Sequence, residues 1–273
     1  MRFNADVSGE IIRADSQGAS PEEMKELYIR RNALNVELDI PIYRILTLQY
    51  FLEDLRAQCL SHTKIDGIVW GDSAENPLLG REFDDTDGAR LTLDGVVDRF
   101  YGSCWSATAL GSNQEWDKFS RLRPCVRLQS TPRKLLSSVM NKENTYYMLH
   151  HYIGRILYVP YGEAEKYFYD SNWSKHLDSL GHGIAASLLI LDESLSEEDE
   201  IRLLYDHASE PWHQDNVQIS GRFAKVPFDW SAAIDDVVVG PFESKKTEAT
   251  LRSALLGLNI DLRVSPDLGR DGG

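Results

Sequence analysis

Arg44 sits inside an apolar run, Ile42-Tyr43-Arg44-Ile45-Leu46, and a guanidinium in such a strand needs a partner. Either a carboxylate of the same chain holds it, with Glu200 or a neighbouring Asp as candidates, or it is aimed at a ligand. Its planar fork suits two parallel hydrogen bonds to an anion. Carboxylates come from Glu197-Glu198-Asp199-Glu200. Four acids in a row read as a solvated turn; in an extended segment Glu198 and Glu200 would share one strand face, two residues apart. A third segment, Tyr101-Gly102-Ser103-Cys104-Trp105-Ser106, brings hydroxyls and rings. Trp105 and Trp116 have a plain alternative as core residues, and Arg127 is either a surface residue or, in a strand interior, faces a cleft.

Other chemistries have less to stand on. The chain contains no G-x-G-x-x-G, no P-loop and no G-x-S-x-G, and Gly181-His182-Gly183 reads as a helix break. Asp84, Asp85 and Asp87 could serve a metal-dependent nuclease on paper. They fall, however, in a long polar loop spanning Gly71 to Asp94, where ligands lack fixed geometry. Cys59, Cys104 and Cys125 show no C-x-x-C spacing, the seven histidines no H-E-x-x-H or H-x-H, and the pair His150-His151 diverges on either a strand or a helix. No metal is expected, and nothing places a histidine beside Cys104 for a nucleophile pair.

The 273 residues carry 29 Lys plus Arg against 43 Asp plus Glu, a formal net charge of −14 that disfavours non-specific binding to nucleic acid or anionic membrane. An apolar fraction of 42% suits a globular core rather than a disordered chain. No uncharged apolar run approaches the roughly 18 residues of a membrane span, and the first ten residues lack a secretory signal. A cytoplasmic protein is expected.

The elements that must position these side chains follow from periodicity and caps. Ser20-Pro21-Glu22-Glu23 predicts a helix start with a capping box, running to about Glu37. Strands are predicted at Ile40 to Leu46, Phe100 to Ser106, Cys125 to Gln129, Ile201 to Tyr205, Val237 to Val239 and Ile260 to Val264. Helices follow Thr47, Ser112 and Thr131, and another spans Lys245 to Leu256. Residues 1–20 read as a flexible lead. Residues 21–268 read as a single α+β domain with a helical insertion over 163–191.

Several clusters, taken in order, resemble the bacterial domain-of-unknown-function family 2971. They are Tyr43-Arg44-Ile45; Trp70 with Glu75-Asn76-Pro77; Tyr101 through Ser106; Trp116; Val126-Arg127-Leu128 with Thr131; Glu198 through Arg202; and Pro227, Ile234, Val238, Gly240 and Pro241. The likeness spans Ile40 to Ser265. Where that family carries a basic pair shortly before the paired glutamates, this chain has Leu191-Asp192, which offers phosphate no basic contact.

The order of an early Arg, a middle Ser and a late Glu pair resembles, more distantly, the Arg–Ser–Glu order of one ADP-ribosyltransferase group. That resemblance implies small curved, mostly antiparallel sheets with surrounding helices. It also implies an NAD-dependent ADP-ribosyltransferase or NAD glycohydrolase, in a toxin or phage-defence effector, with NAD as substrate. Glu200, with Glu198, would oppose the positive charge of an oxocarbenium-like transition state and draw a proton from the nucleophile. Arg44 would bind the diphosphate, Ser103 or Ser106 would hydrogen-bond in the cleft, and Trp105, Tyr101 or Tyr43 would line it, with Arg127 facing it. A reading of another class is a non-catalytic sensor or protein-interaction module of a defence system, whose acidic face binds a protein partner or antitoxin. A nuclease is a third.

Overall fold

The computed structural model describes residues 5–70, 75–84, 87–120, 123–140, 149–160, 162–177, 181–208, 210–241, 244–258 and 260–264. Their strands, in chain order, are β1 (Ala33–Leu34), β2 (Ile42–Thr47), β3 (Cys59–Lys64), β4 (Glu82–Asp84), β5 (Arg90–Thr92), β6 (Phe100–Ser106), β7 (Cys125–Ser130) and β8 (His151–Arg155). They continue with β9 (Leu157–Val159), β10 (Ile190–Asp192), β11 (Glu200–Asp206), β12 (Gln218–Ser220), β13 (Phe223–Pro227), β14 (Asp236–Val239) and β15 (Asp261–Val264).

Eleven of these form one sheet in the order β1-β8-β11-β6-β2-β7-β14-β15, with β3, β13 and β12 leaving it at β6. The predicted small sheets are therefore corrected: one large branched sheet dominates, with β4–β5 and β9–β10 as two-stranded satellites. Pairing in the large sheet is antiparallel except for β1–β8 and β14–β15.

The branch positions the site. β11 pairs along one edge of β6 over all seven residues. The other edge meets two strands, β2 at Tyr43↔Ser106 alone and β3 at Thr63↔Gly102 and Lys64↔Tyr101. Between these contacts Ser103, Cys104 and Trp105 pair with neither strand, so the sheet opens along β6 into a notch.

Alternation along β11 explains why its whole length is buried. Ile201, Leu203 and Tyr205 join a core with Ile42, Phe51, Trp105, Leu128 and Trp230, whereas Leu204 joins a second core with Ile65, Leu78, Phe83, Phe100 and Leu189. Glu200 and Arg202 share the Leu204 face, so two charged residues enter a strand covered on both sides.

Caps behave as their sequences predict at Ser20, where Ser20 and Glu23 form a capping box, and at Thr131, whose side chain accepts from Lys134 N–H. The helix capped by Ser20 ends at Asn32 rather than Glu37, because Ala33 and Leu34 pair with β8. The lead predicted to be flexible contains a helix, Ala5–Ser16, with Val7 buried and Glu10 ion-paired to Arg30. The amphipathic spacing of Val7 and Ile11 gives it a face to dock.

The loop predicted over Gly71 to Asp94 is likewise corrected. Residues 71–74 and 85–86 lie outside the described residues, but the remainder carries the β4–β5 hairpin and buried Glu75, Asn76, Leu78, Phe83 and Leu93. Asn76 Nδ2 donates to the carbonyls of Ile65 and Val97. Within 163–191, two short helices, Glu163–Tyr169 and His182–Ser187, flank a 3-10 turn at Trp173–Lys175.

Gly154 shows how closely β1 and β8 approach: a Cβ there would lie 2.9 Å from the Leu34 carbonyl oxygen and collide with the Leu189 side chain. Gly154→Ala is expected to cost about 1–3 kcal/mol, since backbone must move to admit it, a loss measurable by urea unfolding.

Candidate active site

The notch holds a cavity of about 310 Å³, within the size class of small-molecule sites. Its lining includes Tyr43, Arg44, Ser103, Trp105, Ser106, Glu198 and Glu200, brought together from β2, β6 and the approach to β11. Residues read from three distant segments thus share one concave surface. Trp70, Thr63, Cys104 and Phe119 join them.

Glu200 is buried, and its partner is Arg202 rather than Arg44. Arg202 Nε donates to Glu200 Oε1 at 2.7 Å and Nη2 to Oε2 at 3.1 Å, while Nη1 donates to the Leu188 carbonyl at 3.0 Å. Glu75 Oε2 lies 2.6 Å from Nη2, and the guanidinium stands 4.8 Å from the Trp70 ring centroid. With no exposed surface, Arg202 is held above its ordinary pKa: burial pulls it down, and the charge and hydrogen bonds of Glu200, with the charge of Glu75, more than offset that. Each Glu200 oxygen accepts one bond from Arg202 and keeps lone-pair capacity besides.

Arg44 is half-buried on β2, and among the described residues its guanidinium makes no hydrogen bond and no ion pair. Burial lowers its pKa, with Cys104 and Asp54 acting in the opposite sense, yet an arginine stays charged at any working pH. The cleft therefore contains a cation that, among the described residues, no carboxylate touches, Asp54 acting on it only from a distance. Nearby, Ser103 Oγ and Trp105 Nε1 are buried without hydrogen-bond partners, and such groups mark places where a ligand or water completes the bonding. Ser106 Oγ is engaged, accepting from Thr108 N–H at 3.1 Å.

Several expectations are corrected. Glu198 does not share a strand face with Glu200. It ends a 3-10 turn, Glu193–Glu198, and Asp199 then adopts φ 42° before β11 begins. Half-exposed, Glu198 ion-pairs with Lys118 at 2.8 Å. Arg127 is not part of the lining; it packs behind it, 5.3 Å from the Tyr43 ring centroid and bonded to the Leu110 carbonyl. Trp105 is buried in the first core and forms floor rather than platform, and Tyr101 lies outside the lining. Phe119, 38% exposed, is the more open aromatic ring.

Burial first, and then the charge of Glu200, pushes the Cys104 thiol well up, so it stays protonated and poorly nucleophilic. Of the acids considered for a nuclease, Asp84 and Asp87 are exposed and outside the cleft, and Asp85 lies outside the described residues.

Arg202 and Glu75 were missed as site residues. The signal for Arg202 was available, since Glu200 and Arg202 are two apart on one strand. Glu75 stands out only within the Glu75-Asn76-Pro77 cluster, and nothing in the sequence ties it to Arg202, which lies 127 residues further along the chain.

Arg44→Ala is expected to weaken binding of an anionic ligand about 10-fold or more, the worth of a charged hydrogen bond, without lowering the melting temperature. Calorimetric titration and thermal unfolding of the same sample check both halves.

No protein-family model matches the chain, so the likeness to family 2971 has no family match behind it. No curated protein matches either. Among solved structures the chain is similar to Thermus sp. 2.9 DarT in complex with NAD+, at 12% identity and TM-score 0.34, over 85% of this chain and 98% of that one. It is also similar to Thermus sp. 2.9 DarT in complex with ADP-ribosylated ssDNA, at 11% identity and TM-score 0.33, over 86% and 97%. Likeness at that level does not specify a fold, and the chemistry of the cleft has to come from its own residues.

Proposed function

We propose that the chain is an NAD-consuming enzyme that breaks the nicotinamide–ribose bond and passes ADP-ribose to an acceptor or to water. The observation that carries this reading is Arg44, a cation in direct contact with no carboxylate among the described residues, facing the same cleft as buried Glu200. A dinucleotide supplies what both lack: a diphosphate for the guanidinium and a reacting sugar that becomes cationic beside the carboxylate.

The residues fit such a substrate. Ser103 Oγ and Trp105 Nε1, orphaned at the floor, have hydrogen bonds to give, and Tyr43 and Phe119 offer aromatic surface to a nicotinamide ring. Glu200 supplies fixed negative charge in a partly dry notch, where it acts more strongly on developing positive charge than it would in water. Arg202 is a positioning residue: its two bonds hold the carboxylate plane, and Glu75 shares its charge so that Glu200 keeps most of its own.

A binding module is the competing reading, favoured by the same bidentate pair, since Arg202 and Glu200 satisfy one another without any ligand. Incubating the purified chain with NAD and measuring free nicotinamide separates the two. Release above the rate of NAD alone supports the enzyme. Absence of release, together with no NAD-dependent rise in melting temperature, leaves the module.

A further inference from the structure

The cleft opens at the Glu200 end of β11. At the other end, about 20 Å away along the strand, lies a separate cluster that the proposed chemistry does not use. His150 precedes β8, His213 sits in the short helix Pro211–Asn216, and Glu210 immediately precedes that helix. One ligand-competent atom from each comes within 4.8 Å of the others, and His213 Nε2 lies 4.0 Å from Glu210 Oε2. We propose that His150, Glu210 and His213 bind a single divalent transition-metal ion, zinc by preference, with water in the fourth position.

Geometry and donor chemistry both support this. Tetrahedral zinc holds N and O ligands at about 2.0–2.2 Å, which sets neighbouring ligand atoms roughly 3.3 Å apart. The cluster is within side-chain adjustment of that spacing, and Glu210, 59% exposed, has the freedom to make it. The rings of His150 and His213 stand 4.6 Å apart and nearly perpendicular.

The outer contacts are those that orient metal-binding imidazoles. Tyr205 Oη lies 2.6 Å from His213 Nδ1 and 3.2 Å from His207 Nδ1, which leaves Nε2 of His213 toward Glu210. Asp206 Oδ2 lies 3.4 Å from His150 Nδ1, a carboxylate beside the second imidazole. Asp206 is in turn fixed by Arg99 through bonds of 2.9 and 2.8 Å. Two imidazoles and one carboxylate suit zinc, cobalt, nickel or copper rather than magnesium or calcium, which require mostly oxygen. The ion would tie the 211–216 helix to the end of the central sheet. Sequence spacing could not show this, because four strands, β8 to β11, separate His150 from Glu210 along the chain.

The test uses the full chain without a polyhistidine tag, stripped with chelator and titrated with zinc chloride by calorimetry, with cobalt(II) absorption as a second readout. One equivalent of zinc per chain is expected, with a higher melting temperature and the intense visible bands of tetrahedral cobalt. Glu210→Gln, at an exposed position that does not threaten folding, and His150→Ala should each weaken zinc binding by about 10-fold or more. Failure to bind one equivalent, or binding that both variants leave unchanged, overturns the proposal. Nicotinamide release plays no part in this readout, so the fate of the cleft assignment is decided separately.

Discussion

Glu200→Gln is expected to lower nicotinamide release by about 10²- to 10³-fold, the usual worth of one charge aimed at a transition state in a dry site. The amide keeps the carboxylate's shape and can still accept a hydrogen bond from Arg202, but it loses the charge that opposes an oxocarbenium. A neutral Gln also leaves Arg202 with Glu75 as its remaining carboxylate partner among the described residues, so some stability should be lost as well. Rate and melting temperature must therefore be read together. An enzyme role predicts that turnover falls far more than the folded fraction does, at a temperature well below the midpoint. A purely structural Glu200 predicts activity that tracks the folded population. Arg44→Ala serves as the contrasting variant: it should leave the melting temperature alone and raise the NAD concentration needed for half-maximal rate, because a ground-state contact is what it removes.

The second large effect concerns stability. Arg202→Met is expected to destabilise the fold by about 3–5 kcal/mol, measured by urea unfolding, because removing one partner strands the others in the interior. Two carboxylates, Glu200 and Glu75, would then lose the cation they share, and the Leu188 carbonyl would lose its donor. The Trp70 ring would keep an apolar neighbour of similar length but lose the cation above it. Glu75→Gln should cost less, since Arg202 retains its bidentate bond to Glu200. A loss below about 1 kcal/mol for Arg202→Met would mean that the cluster is solvated in solution, contrary to its burial.

Local signals in the chain carried far. The strand read over Phe100 to Ser106 is β6 to the residue, and the caps at Ser20 and Thr131 begin their helices because a hydroxyl and a following amide need only four neighbouring residues. Gathering Tyr43, Arg44, Ser103, Ser106 and Glu200 into one cleft was also within reach, because polar groups on apolar strands have few destinations. The Glu198–Glu200 pairing failed for a local reason that composition hides, a left-handed residue at Asp199 that ends a 3-10 turn and resets the face.

Partner choice was legible only in part: the two-residue spacing of Glu200 and Arg202 spoke for Arg202, but nothing in the sequence excluded Arg44. Arg44 and Arg202 are each arginines among aliphatic residues, and by sequence alone either could have taken Glu200. Strand register settled it. Arg202 stands two residues along β11 from Glu200, on the same face, whereas Arg44 belongs to β2, which touches β6 at a single residue pair before diverging. The notch itself has no sequence signature, since it exists where two strands compete for one edge of β6, and such competition is decided by contacts far apart in the chain. The residue types and their alternation therefore determined which side chains could do chemistry. Only the tertiary pairing decided which of them keeps its charge free for a ligand, because a buried guanidinium goes to the nearest carboxylate that the register presents.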